Sequence, residues 1–151
     1  MKLFFASIVI LFSSGCFSLG HANDSITVSN SVIQIPMVRG GVAKGLVTLK
    51  NNSLGDDLLK EVIISRASRV EIHESYIKNE ISKMRKVVGI PIKGNNQFDM
   101  GLKGFHFMIF DLDDAIVVGD KIVGRLVFQV AGEIDVDFEA MRLNMSSHKT
   151  H

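Results

Sequence analysis

The sequence predicts an all-β sandwich or barrel built as one domain. Three observations predict it. Short β-rich runs recur at close spacing, turn clusters separate them, and no segment sustains helical apolar periodicity. With 151 residues, 46% of them hydrophobic, the chain is long enough to bury a core of its own.

The elements follow in order once residues 1–22 are set aside. Lys2 precedes an apolar run from Leu3 to Phe12, and small and polar residues then lead to Gly20-His21-Ala22. A basic start, a short apolar run and small residues at −3 and −1 read as a secretory signal peptide cut after Ala22. The run is too short for a permanent membrane span. Cys16 follows Ser13-Ser14-Gly15. Lipid attachment there is the less favoured reading, because Ser13 stands where a lipoprotein signal carries Leu or a similar residue. The mature chain is expected in a periplasm, or otherwise outside the cytoplasm.

Residues 31–35 and 45–50 are β-rich runs separated by Gly40-Gly41, and the polar stretch 51–57 is a turn cluster. Further strands are expected over 59–65, 69–76, 84–92, 97–100, 105–112, 121–130 and 133–138. Residues 113–120 read as a connection with one helical turn. The domain is taken as 23–145, and 146–151 as a flexible tail.

Charge and cysteine content exclude whole classes of function. Loss of Lys2 with the leader leaves sixteen basic and sixteen acidic residues, so nothing marks a nucleic-acid surface. Loss of Cys16 leaves no cysteine, which excludes disulfides, thiolate metal sites and thiol catalysis. No nucleophile elbow, phosphate loop or dinucleotide fingerprint is present. Asp111-x-Asp113-Asp114 lacks the rest of a calcium loop and reads as a solvated turn. No enzyme is indicated.

Four residues remain as candidates for chemistry: His73, Met84, His106 and Met108. Strand alternation puts His106 and Met108 on one face of 105–112, with Phe105, Phe107 and Ile109 on the other. Arg69, Glu71 and His73 share a face in 69–76, opposite Val70 and Ile72. Met84 follows a loop containing Asn79 and sits among Lys83, Arg85 and Lys86, which read as a solvated face. Two imidazoles and two thioethers form a soft, neutral set that suits tetrahedral Cu(I) better than zinc. The absence of a cysteine ligand disfavours a blue-copper electron carrier.

The pattern His73-x10-Met84-x21-His106-x-Met108 resembles the signature of the periplasmic copper chaperone family PCuAC. Val70-Glu71-Ile72-His73-Glu74 and Gly104-Phe105-His106-Phe107-Met108 are similar to the family's segments around its ligands. The likeness runs from about Ile26 to Phe138. A chance match of all four positions has odds of about 2 × 10⁻⁴. Leu102-Lys103 stands where many members have Pro-Gly, and Pro36-Met37 near a position where many carry an aromatic residue; both bear on loop shape.

The resemblance implies a cupredoxin-like, Greek-key β-sandwich that acts as a monomer. It binds one Cu(I) and supplies it to the apo copper domain of a respiratory cytochrome oxidase, alone or with a Sco-type copper protein. Some members also carry a tail that binds Cu(II). Here Met145, His148 and His151, with Met141 before them, offer a weaker second site of that kind, against the plainer reading of a polar chain end. The rival functions are copper sequestration or resistance, a copper redox protein, and a structural β-sandwich with incidental histidines.

Overall fold

A computed structural model describes residues 25–142. The readings of the leader, of Cys16 and of Met145, His148 and His151 lie outside the described residues. Ten strands are formed: β1 Ile26–Ile35, β2 Ala43–Asn51, β3 Asp57–Ile64, β4 Arg69–Lys78, β5 Ile81–Lys86, β6 Ile90–Ile92, β7 Gln97–Asp99, β8 Phe105–Phe110, β9 Lys121–Phe128 and β10 Glu133–Arg142. No helix occurs among the described residues. The 113–120 connection holds no helical turn either. Its two tight turns are closed by Ile116 N–H to the Asp113 carbonyl and by Asp120 N–H to the Val117 carbonyl. The Asp113 side chain accepts from Ala115 N–H, which competes with helix formation.

The strands hydrogen-bond in the order β5-β4-β8-β2-β1-β10-β9-β3-β6, with β7 on the other end of β2 from β8. Only β1 and β10 pair in parallel, and the remaining neighbours are antiparallel. This order doubles back on itself, so that β3 packs on β4 and β6 lies against β2. The architecture is a cupredoxin-like β-sandwich.

Alternation writes the two faces. In β9, Ile122, Gly124, Leu126 and Phe128 point inward, while Lys121, Val123 and Arg125 point to solvent. Phe107 of β8 and Phe138 of β10, both fully buried, meet edge to face across the core with 6.5 Å between ring centroids. Gly124 makes room for this: a Cβ there would lie 2.6 Å from the Phe138 ring.

Three of the expected runs differ from the observed strands by more than two residues. The run 84–92 is two strands, since β5 stays with β4 in a hairpin while β6 crosses to β3. The break falls at Gly89, where a Cβ would meet the Leu59 carbonyl oxygen at 2.7 Å. β1 begins at Ile26, beyond an irregularity between Ser29 and Val32 where Asn30 adopts φ 49°. β10 runs on to Arg142 because Glu139 to Arg142 pair with Val32 to Ile35.

Candidate metal centre

The site lies on the outer face of β5-β4-β8. Its register is written by the core face of the same strands. Ile72 and Phe107 are cross-strand partners and both are buried, so the next pair, His73 and His106, must turn outward together. Their rings stand 6.0 Å apart between centroids at an angle of 43°. His106 is only 5% exposed despite facing away from the core. Burial first, then the charges of Lys44 and His73, hold its imidazole below the ordinary titration range, although a hydrogen bond with the Gly104 backbone opposes them. A neutral imidazole keeps a lone pair for a metal.

Met108 is half-buried and lies two residues along from His106, paired across to Glu71 on one side and Lys44 on the other. It is a diagonal neighbour of His73, roughly 7–8 Å away in such sheets. Met84 is placed differently. It sits on β5 opposite Ser75, diagonal to His73 in the other direction, and is 53% exposed. Met84 and Met108 are therefore two strands and four positions apart, about 17 Å for strand spacings of about 4.8 Å and a rise of about 3.4 Å. That is farther than two thioethers and one ion can bridge. The fold thus brings His73, His106 and Met108 together and leaves Met84 on an outlying hairpin.

That hairpin is a separate local unit. Asn79 and Glu80 form its two-residue turn with φ of 53° and 61°, the type I′ geometry that matches strand twist. All six residues of β5 are exposed. Arg85 pairs with Glu74 at 2.7 Å and Lys86 with Glu71 at 3.1 Å, so two of the basic residues around Met84 are ion-paired, and Lys83 is exposed like the rest of β5.

Glu71 is the neighbour that sequence reasoning placed on the right face without assigning it a role. Its Oε2 lies 2.9 Å from His73 Nε2, and its Oε1 accepts from Arg69 at 2.8 Å and Lys86 at 3.1 Å. The hydrogen bond with His73, then that with Lys86, hold the Glu71 carboxyl below the usual carboxylate range. The two-residue spacing Glu71-x-His73 on a strand was the available signal. On the other side of the ring, His73 Nδ1 is buried with no hydrogen-bond partner. Such an orphan needs an explanation, and a bound ion is one.

The turn before β8, which carries Leu102-Lys103, is shaped by Asp99. Its side chain accepts from Leu102 N–H at 3.0 Å and its carbonyl from Lys103 N–H at 3.1 Å. Gly104 then takes φ 78° directly against the Ser75 carbonyl. Among the described residues no three His, Cys, Asp or Glu side chains form a metal cage. The Asp111–Asp114 stretch is engaged otherwise, with Asp113 paired to Arg66 at 2.6 Å and Asp111 bonded to Ser68.

The family model described as "Putative lipoprotein LpqE-like" matches residues 26–140, which span β1 to β9, most of β10 and all four candidate ligands. The chain belongs to the LpqE-like family. No curated protein sequence matches this LpqE-like chain. Solved structures similar to it include the copper-bound PCuAC domain from PmoF2, with TM-score 0.66, 19% identity, and 78% of this chain and 93% of that one covered. The apo PCuAC domain from PmoF1 gives 0.65 at 18% identity, covering 78% and 94%. The solution structure of apo-DR1885 from Deinococcus radiodurans gives 0.59 at 16% identity, covering 94% and 95%. At these identities the likeness establishes that the LpqE-like chain shares their fold.

Proposed function

We propose that this chain is a copper chaperone, outside the cytoplasm, that holds one Cu(I) through His73, Met84, His106 and Met108 and hands it to a copper centre of a respiratory oxidase. The observation that carries the reading is the outward-facing pair His73–His106, with one buried imidazole nitrogen unpartnered and Met108 two residues along from His106 on the same strand face. Imidazole and thioether are neutral, soft enough for Cu(I), and unable to form disulfides. One of the similar folds holds copper in its solved structure, which supports the same cargo here.

In this reading the two histidines and Met108 form a three-donor seat, and the β4–β5 hairpin must bend toward His106 for Met84 to close it. Copper is cargo, and the chain makes or breaks no bond in a substrate. Release begins where the coordination is most easily opened, at exposed Met84. A recipient with cysteine thiolates binds Cu(I) more strongly, so handover runs downhill.

Titration of the mature protein with Cu(I) against a competing chelator should give one equivalent bound. X-ray absorption should show mixed nitrogen and sulfur scattering, and a shell of nitrogen and oxygen alone would overturn the ligand set. Copper that stays put with every oxidase domain, together with lowered copper tolerance on deletion, would replace delivery by sequestration.

A further inference from the structure

We infer that Glu71 is a positioning residue that fixes the tautomer of His73 and so selects Nδ1, not Nε2, as the nitrogen that takes the metal. The inference rests on the copper reading above and adds a residue to it. A carboxylate only accepts hydrogen bonds, so the proton between Glu71 Oε2 and His73 at 2.9 Å belongs to Nε2. The neutral ring then carries its lone pair on Nδ1, and that is the buried atom without a partner.

The two oxygens of Glu71 divide the work. Oε1 is occupied by Arg69 from its own strand and Lys86 from β5, which leaves Oε2 for the imidazole. The Glu71 side chain is only 12% exposed, so water competes weakly for this bond. A carboxylate behind a ligating histidine orients the ring and raises its donor strength, and losing such a partner costs about tenfold to hundredfold in metal affinity.

Long-range ¹H–¹⁵N spectra of the histidine-labelled protein, above the imidazole titration range, report the tautomer of the metal-free wild type. His73 should carry its proton on Nε2, and one equivalent of Cu(I) should shift Nδ1 while Nε2–H persists. E71A should lose the tautomer preference and bind Cu(I) about tenfold to hundredfold more weakly. E71Q, whose amide oxygen accepts the same N–H, should recover most of both. The wild-type spectra decide the matter even if E71A does not fold. Cu(I) bound through Nε2 of His73 would overturn the role of Glu71 and leave the copper reading standing. Failure to bind Cu(I) with Nε2–H intact would overturn the copper reading and leave the Glu71–His73 bond standing.

Discussion

His73 on β4 and His106 on β8 are direct cross-strand partners, with 6.0 Å between their ring centroids. A slip of one residue in either strand would turn its imidazole toward the core and its core-facing apolar residues out. The buried pair Ile72–Phe107 prevents the slip, since exposing a large core side chain costs about 1.5–3 kcal/mol. The core thus sets the geometry of the candidate metal face.

Ligand deletion should follow donor strength. H73A and H106A should each weaken Cu(I) binding by about a hundredfold or more, against about tenfold for M108L, each tenfold being about 1.4 kcal/mol. Chelator competition measures it, and equal losses at all three positions would contradict the ranking.

Met84 should govern release more than stability. M84L lies on an exposed strand, so its unfolding free energy should stay within about 0.5 kcal/mol of wild type. Copper retention against a chelator should fall, and transfer to an apo oxidase domain should change in rate. Stopped-flow transfer kinetics indistinguishable from wild type would remove Met84 from the site.

Gly104 should be intolerant of a side chain. It adopts φ 78°, and a Cβ would meet the Ser75 carbonyl oxygen at 2.7 Å. G104A should destabilise the fold by about 1–3 kcal/mol and loosen Cu(I) binding by moving the start of β8. Urea unfolding and Cu(I) titration of the same sample report both effects.

Acid sensitivity should arise partly at the β9–β10 hairpin. Arg125 forks onto Asp135 at 2.6 Å and 3.2 Å and reaches Glu133 at 2.7 Å. The hydrogen bond from Arg125 holds the Asp135 carboxyl below its ordinary value. Its folded pKa is the lower one, so its contribution is present above the ordinary carboxylate range. That contribution is lost as pH falls through the folded value. D135N should therefore be less stable than wild type near neutrality and equal to it in strong acid. The neutral gap should narrow in high salt. Urea midpoints across pH test the sign.

Export should leave Asn23 as the first residue, with Gly20 and Ala22 at the −3 and −1 positions. The lipoprotein description of the family names the rival, a chain beginning at lipid-modified Cys16. Intact mass of the exported protein separates them.

Much of this molecule was legible in the sequence. Period-two alternation set the all-β class and put Phe107 and Ile109 inward and His106 and Met108 outward, because a strand sends successive side chains to opposite faces. The residue types of His73, Met84, His106 and Met108 marked them as candidates in a chain without cysteine, and the family resemblance implied them as a set. What alternation cannot carry is which strands become neighbours. It therefore could not divide 84–92 between β5 and β6, extend β1 through its irregularity to Ile26, or carry β10 on to Arg142. Nor could it set Met84 apart from the other three candidates, since that depends on β5 pairing at Ser75 and not nearer Glu71. The Lys86 bond that occupies the other oxygen of Glu71 and the orphaned Nδ1 of His73 belong to the same class of fact. They arise where β4, β5 and β8 meet, and only the tertiary pairing of those strands decides which donors face which acceptors.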